Sequence, residues 1–133
     1  MALLETDPVC FRRTASGDIL IPLELASGLE AVSIGIRTRV QTFVGEWFMD
    51  LDIGIPYLPD GTAVPEREAI LGQKFDAVKI RAAFRREILT TPGVVEITKL
   101  EVTFDGSSRS ATLTWVVRSA FGDTPADTLT VQL

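Results

Sequence analysis

GEWFMDLDIGIPY, residues 45–57, sets the architecture of this chain, because it joins a helical pattern on its N-terminal side to a Gly-Ile-Pro-Tyr turn. The stretch concentrates large aromatic residues, which usually cover a hydrophobic core where a helix meets a loop. We therefore predict that Trp47, Phe48 and Tyr57 belong to the structural core. The alternative is that these three rings form a platform for a sugar or a base.

An amphipathic helix precedes this stretch. Its apolar residues recur at intervals of three and four, the period of one helical face: Leu29, Val32, Ile36, Val40 and Phe43. The pattern predicts a helix over residues 29–44 that ends at Gly45. Ser27 and Glu30 have the spacing of a capping box, in which each side chain bonds the backbone amide of the other residue. We therefore expect the helix to begin directly after Ser27.

A second helix is predicted after residue 76. Asp76 is placed to cap it, Thr90–Gly93 ends it, and its apolar stripe includes Phe84, which we predict to be core. The more exposed sides carry a local surplus of basic residues: Lys79, Arg81, Arg85 and Arg86. Such a set is usually a solvated face, and the alternative is a binding site for an acidic partner subunit. Three of these cations are our candidate interface residues on this helix: Arg81, Arg85 and Arg86.

The segments outside the helices show weaker patterns. Residues 1–16 have no sustained period and are predicted to be a flexible arm. Residues 18–25 alternate between apolar and other side chains, which indicates a strand, and Pro22 confines it to a sheet edge. The interval 54–65 is predicted to be a surface loop, followed by one short helical turn over Glu66–Gln73. The interval 54–65 is too short to separate two domains.

The last third of the chain predicts a β-hairpin. Val94–Phe104 changes its apolar phase near Thr98-Lys99, which one inserted residue, a β-bulge, explains. Asp105-Gly106 follows, and dipeptides of this kind commonly close hairpins. The return strand alternates strictly and places Trp115 on its apolar face, so we predict that Trp115 is core.

A terminal strand is predicted over Thr128–Leu133, where polar and apolar residues alternate up to the last position. Such a strand completes the sheet of its own chain or adds to the sheet of a neighbour. Together the elements predict an α+β fold, with two main helices packed on a small, mostly antiparallel sheet of about four strands. The length of 133 residues fits a single domain over residues 1–133.

Composition argues against several functions. The chain has no histidine, and Cys10 is its only cysteine. Ser-His-Asp and Cys-His catalysis, intrachain disulfides and metal clusters built on His or Cys are therefore not expected. The net charge of -5 gives no electrostatic reason to bind nucleic acid. No apolar run approaches the roughly 18 residues of a membrane span, and the start lacks the basic region of a signal peptide. We expect no membrane partner and no cofactor.

Acidic residues of the central stretch suggest a catalytic alternative. A glycosidase needs two carboxyl groups about 5–10 Å apart, and the spacing of Glu46 with Asp50 or Asp52 permits such a pair. Acids beside a helix end and a turn are, however, usually solvated. Asp50, Asp52 and Asp60 also supply oxygen ligands for calcium, but the EF-hand pattern is missing and no metal is assigned. We expect no enzyme, with a cell-wall glycosidase using Glu46 and Asp50 as the alternative.

Five motifs, in this order, resemble a small baseplate wedge protein of contractile-tailed phages: Gly45–Asp50, Gly54–Tyr57, Ile70–Gly72, Thr91–Val94 and Ala120–Gly122. No single motif carries the resemblance, which lies in their order and spacing over most of the chain, from residue 17 to residue 122. The chain is most similar to the branch found in Mu-like phages. That branch is part of a larger family once called lysozyme-like although its members are structural.

The resemblance implies a structural role. Such proteins are single α+β domains that join wedge subunits around the end of the tail tube, and their sheet resembles the strand-exchanging domain of the tail sheath. The chain is thus expected in the virion, in the tail baseplate, assembled in the host cytoplasm and hetero-oligomeric with wedge, sheath or tube proteins. The terminal strand is then expected to dock the first sheath ring, with three candidate interface residues: Thr128, Thr130 and Gln132. Many relatives carry Glu-Pro-Arg where this chain has Thr91-Pro92-Gly93, so contacts of that acid–arginine pair are not carried over.

Overall fold

A computed structural model of the protein describes residues 9–47, 49–58 and 69–133. These residues form two helices and two antiparallel sheets. Their bounds in chain order are β1 (Val9–Phe11), β2 (Leu25–Ser27), α1 (Gly28–Gln41), α2 (Ala77–Leu89), β3 (Val94–Asp105), β4 (Ser110–Ser119), β5 (Gly122–Asp123) and β6 (Asp127–Gln132). β1 and β2 form a small sheet, and the other four strands form the main sheet. The predicted α+β class is confirmed.

β4 lies at the centre of the main sheet. β3 pairs with one of its edges, and β5 and β6 pair with successive parts of the other edge, all antiparallel. The bulge predicted near Thr98-Lys99 is confirmed as a register shift between Ile97 and Lys99, and a second shift follows Val94. The terminal strand pairs with β4 of the same chain, so it completes its own sheet.

One hydrophobic cluster joins both helices to the inner face of the main sheet, with α2 packed over β3 and α1 against α2. Its buried members are Val32, Ile36, Val40, Ile55, Tyr57, Ile70, Ile80, Phe84, Ile88, Leu113, Trp115 and Val117. The strict alternation of β4 produces its part of this face, because successive strand residues point to opposite sides. Phe84 is fully buried, and Tyr57 and Trp115 are 4% and 2% exposed, so all three rings lie in the core.

The central stretch forms a loop that is closed at its neck. A parallel bridge joins Phe43 to Ile55, and the Ile55 amide donates to the Thr42 carbonyl oxygen at 2.9 Å. The carboxylate of Glu87, a buried residue of α2, accepts a hydrogen bond from the Gly54 amide at 3.0 Å. Backbone bonds and one buried acid therefore tie this loop to both helices.

The helix ends differ in part from the prediction. α1 ends three residues earlier than expected, because Thr42 already adopts an extended backbone. The predicted capping box is wrong: the Ser27 side chain makes no capping hydrogen bond, and Glu30 instead accepts from the guanidinium of Arg12 at 3.0 Å. The predicted cap of α2 is confirmed, since the Asp76 carboxylate accepts from the amides of the second and third helical residues at 3.1 and 3.2 Å.

The N-terminal segment is held by pairing. β1 pairs with β2, and the Arg12 guanidinium binds the carboxylates of Glu24 and Glu30 at 2.8 and 3.0 Å. Residues 9–16 therefore do not belong to the flexible arm predicted for residues 1–16, whose first eight residues lie outside the described part. The prediction failed because the partners that hold this segment lie further along the chain.

The predicted edge strand over residues 18–25 is wrong. Of these residues only Leu25 belongs to a strand, as the first residue of β2, and Ile19 makes a single bridge to Arg13. Ile21 and Leu23, which belong to the alternating apolar set, are 87% and 63% exposed. Alternation predicts a strand only where another surface covers the apolar side, and no described element covers these two residues.

Trp47 is not a core residue. Its ring is 44% exposed, so the sequence prediction for it is wrong. The hydrogen bonds that close the loop neck direct Tyr57 inward and leave the tip, which carries Trp47, outside the cluster. Phe48, also predicted as core, lies outside the described residues, as do residues 59–68 of the predicted loop and helical turn.

Tyr57 makes the stability of the fold sensitive to alkaline pH. It is the only tyrosine, its hydroxyl donates to the Val40 carbonyl oxygen at 2.5 Å, and burial raises its pKa well above the usual range. The unfolded chain releases this proton near pH 10 and the folded chain keeps it. This contribution to stability is therefore present below about pH 10 and is lost as the pH rises further.

We expect an ultraviolet absorbance titration to show no tyrosinate until the protein unfolds. A Tyr57→Phe control cannot ionise, so its unfolding midpoint should fall less steeply in the same alkaline range. Tyrosinate formation with a midpoint near pH 10 in the folded protein would contradict the burial of this hydroxyl.

Candidate partner-binding surfaces

β6 has one paired and one open edge within the described part of the chain. The Leu133 amide donates to the Arg109 carbonyl oxygen at 2.8 Å, so Leu133 directs its backbone to the β4 side. Backbone direction alternates along an antiparallel strand. Thr128, Thr130 and Gln132 therefore direct their N–H and C=O groups away from β4. We call this row of backbone groups the β6 edge.

The first position of the β6 edge is already occupied. Arg37 donates from Nη1 to the Thr128 carbonyl oxygen at 2.9 Å and to the Asp127 carboxylate at 2.7 Å. The Thr128 amide donates to the same carboxylate at 2.8 Å. Outward backbone groups are thus left at Thr130 and Gln132. The sequence offers no signal for this arrangement, because Arg37 and Asp127 are 90 positions apart.

The threonine side chains of β6 point away from its backbone edge. The hydroxyl of Thr130 lies 3.4 Å from that of Thr112, and the hydroxyl of Thr128 lies 3.4 Å from that of Thr114, across the ladder to β4. These side chains form a polar outer face of the main sheet. The predicted β6 residues therefore offer two different surfaces, a backbone edge and a threonine face.

The three arginines predicted as interface residues lie together on α2. Arg81, Arg85 and Arg86 are exposed, and none of them forms an ion pair with a described residue. The neighbouring cation Lys79 is different, since its ammonium donates to the Ala69 carbonyl oxygen at 2.6 Å. In the described part of the chain no hydrogen bond or ion pair joins the arginines to the β6 residues. The structure therefore presents two separate candidate surfaces.

The acids proposed as a catalytic pair support the loop backbone instead. The Glu46 carboxylate accepts from the Phe43 amide at 2.9 Å, and the Asp50 carboxylate accepts from the Asp52 amide at 3.1 Å. All three acids are exposed. A glycosidase acid is usually desolvated so that it keeps its proton for the leaving group. The geometry therefore gives no support to the glycosidase alternative.

An apolar groove runs along α1, and the sequence patterns do not predict it. It lies between the N-terminal segment and the central loop and is lined mainly by Phe11, Ile19, Leu25, Ile34, Trp47 and Ile53. Arg39 also lines the groove and binds the carboxylate of Glu87 at 3.4 Å. Segments that are distant in sequence build its walls, so only the folded chain forms it.

Metal-ligand clusters and membrane-spanning helices are absent from the residues that the structure describes. Within residues 9–47, 49–58 and 69–133, no three His, Cys, Asp or Glu side chains are grouped so that they can hold a metal ion. Neither described helix is long and apolar enough to cross a membrane.

A comparison with protein families matches most of the chain. The matching family is described as contractile injection system sheath initiator, and its model covers residues 12–122. This range includes β2, both helices and the β3–β4 hairpin, and it ends before β6. No curated protein matches the chain.

Proposed function

Because the chain belongs to the contractile injection system sheath initiator family, we propose that it is a baseplate subunit on which the first ring of the tail sheath forms. The family makes the chain a structural component of a contractile tail. The finer role that we propose is a wedge subunit of the Mu-like kind, assembled in the host cytoplasm and bound to other wedge proteins at the end of the tail tube. It acts through its interfaces and not through chemistry.

The open β6 edge carries this proposal. A sheath subunit that adds an extended segment there gains main-chain hydrogen bonds to Thr130 and Gln132, in the manner of strand addition to an exposed sheet edge. β3 forms the opposite edge in the described part of the sheet and is less suitable. The two register shifts of β3 interrupt its row of outward N–H and C=O groups. In natural proteins such irregularities protect the edge strand of a sheet from pairing with another chain.

Arg37 helps to define where an incoming strand pairs. Because it holds the Thr128 carbonyl oxygen at 2.9 Å, the first outward position of β6 is closed. An added strand then pairs over residues 130–133, a length of about 13 Å at the rise of a β-strand. A short edge with one closed end allows few registers, which favours a single docked arrangement.

Thr130→Pro is expected to abolish sheath assembly and leave the fold intact. The Thr130 amide points away from β4, so proline removes a donor of the open edge without removing a ladder bond, and proline is tolerated at such edge positions. In tail particles sedimented from a lysate of the source, mass spectrometry should find the wild-type chain in amounts like those of other baseplate proteins. Particles with the variant should contain baseplate proteins and lack polymerised sheath.

Thr130→Val is the matched control, because it keeps the backbone amide and changes only the side chain. It should assemble sheath like the wild-type protein. Normal sheath on tails that contain folded Thr130→Pro would overturn the docking role of the β6 edge. Absence of the wild-type chain from intact tails would overturn the baseplate role itself.

A further inference from the structure

The outer face of α2 carries a seam of four residues that no described element covers. We call Val78, Ala82, Arg85 and Leu89 the α2 seam. They recur at intervals of four, three and four, so they lie in one line along about 16 Å of the helix. Val78 is 76% exposed and Leu89 is 39% exposed. The residues that α2 buries lie on its other side: Ile80, Phe84, Glu87 and Ile88.

Positive charge borders this seam on both sides. At 3.6 residues per turn, Arg81 lies on one flank and Arg86 on the other, and Arg85 lies within the seam. The ion pairs formed by described residues use other cations: Arg12, Arg37, Arg39, Lys99 and Arg118. Glu87 is the only acid of α2, and its buried carboxylate points to the Gly54 amide. Among residues 77–89 the exposed side therefore carries three arginines and no acid, and the Asp76 carboxylate lies at the N-terminal cap, where it accepts from the Val78 and Lys79 amides.

We propose that the α2 seam binds an acidic amphipathic helix of a neighbouring protein subunit. The seam has the 3–4 spacing by which one helix packs along another, and charges that flank such a seam select partners of opposite sign. Two complementary carboxylates opposite Arg81 and Arg86, and a third opposite Arg85, satisfy all three guanidinium groups. Apolar partner residues cover Val78 and Leu89.

Charge complementarity also determines where the partner binds. The whole chain carries a net charge of -5, so an acidic partner is repelled by the protein as a whole and attracted locally at α2. Nucleic acid is the less suitable ligand, because its phosphates do not cover the apolar ends of the seam and the overall charge opposes binding. The inference rests on the proposed function in one respect, which is that the neighbouring subunit is another protein of the contractile tail.

Photo-crosslinking from the centre of the seam tests this proposal. Tail particles are assembled with p-benzoylphenylalanine in place of Ala82, irradiated, and digested for mass spectrometry. The crosslinked peptide is expected to come from another tail protein and to show apolar residues at helical spacing with acids beside them. The same photoreactive residue in place of Arg109, an exposed position of the β3–β4 turn, is the control and should not reach that peptide.

Charge reversal gives the second measurement. An Arg81→Glu, Arg86→Glu double substitution is expected to reduce the crosslink from position 82 about tenfold or more, because each partner carboxylate then faces a like charge. Arg109→Glu is the control, because it changes the charge of one residue by the same amount. It should leave the yield of the crosslink from position 82 unchanged. Circular dichroism of each purified variant verifies folding, which we expect to persist because neither arginine pairs with a described acid.

A basic peptide, nucleic acid or no product at position 82 would overturn the α2 proposal if the chain is present in the tails. An unchanged yield from the folded double variant would overturn it as well. Failure of the proposed function looks different, since the wild-type chain is then missing from the particles before any crosslinking.

Discussion

Gly54→Ala is expected to lower the free energy of unfolding by about 3–5 kcal/mol. The new side chain would strain the backbone at this residue, and its Cβ atom would overlap with neighbouring backbone atoms. Gly54 has a φ of +121°, and a Cβ atom there would lie 2.6 Å from the Thr42 carbonyl oxygen and 2.8 Å from the Phe43 carbonyl carbon. Both are backbone atoms at the neck of the central loop. Relief of the overlap would disturb the bridge between Phe43 and Ile55. Denaturant unfolding measures the loss.

Gly122→Ala is the matched control for this prediction. Gly122 has nearly the same φ, +118°, and a Cβ atom there would meet nothing within 4 Å. Its substitution therefore measures backbone strain alone, about 1–3 kcal/mol. The difference between the two variants isolates the close approach of the loop backbone at Gly54. Equal losses at both sites would show that the neck yields to an added methyl group.

Trp115→Ala is expected to destabilise the protein by about 3–5 kcal/mol, as truncation of buried aromatic residues does. The ring is 2% exposed and lies on the inner face of β4, between strands that pair with both edges. Those ladders limit how far the strands can close a cavity left by the indole. The surrounding residues therefore replace few of the contacts that the indole made. Denaturant unfolding of the variant should show a large decrease of the unfolding midpoint.

Trp47→Ala provides the comparison, because these are the two tryptophans of the chain. With 44% of its surface exposed, the Trp47 residue should contribute only about 1 kcal/mol. Tryptophan fluorescence of this variant then reports Trp115 alone and should be blue-shifted in the folded state. Equal destabilisation by the two substitutions would contradict the exposed position of Trp47.

Local patterns predicted the elements whose cause is itself local. The alternation of β4 identifies an inner face because the strand period is two, and Asp76 caps α2 because its carboxylate reaches amides only two and three residues away. The change of apolar phase near Thr98 likewise reports the register shift at that place. Each of these features depends on residues that are neighbours in sequence.

The predictions that were wrong concern features that depend on residues far apart in the chain. Ser27 and Glu30 have capping-box spacing, but Arg12 reaches Glu30 from outside the helix and binds its carboxylate. Trp47 and Tyr57 look equally suited to the core, because hydrophobicity shows that a ring favours burial and not which ring the fold covers. The neck of the loop decides between them, and it depends on α2 through Glu87.

The candidate surfaces also combine features that local patterns predict with features that only contacts between distant segments decide. Helical periodicity was enough to place Arg81, Arg85 and Arg86 on the more exposed side of α2, and strand alternation was enough to find β6. Sequence could not tell whether β6 pairs within the chain, nor that Arg37 closes its first outward position. Both facts depend on how distant segments are packed.

The sequence by itself determined the α+β class, the two helices, the hairpin and the terminal strand, because period, caps and turns act over a few residues. It also determined that the chain is acidic and lacks histidine. Only the tertiary structure decided which aromatic rings are buried, which backbone edge of β6 is open and which arginines remain without a described acid. Those properties depend on contacts between residues far apart in the chain, and no local pattern encodes them.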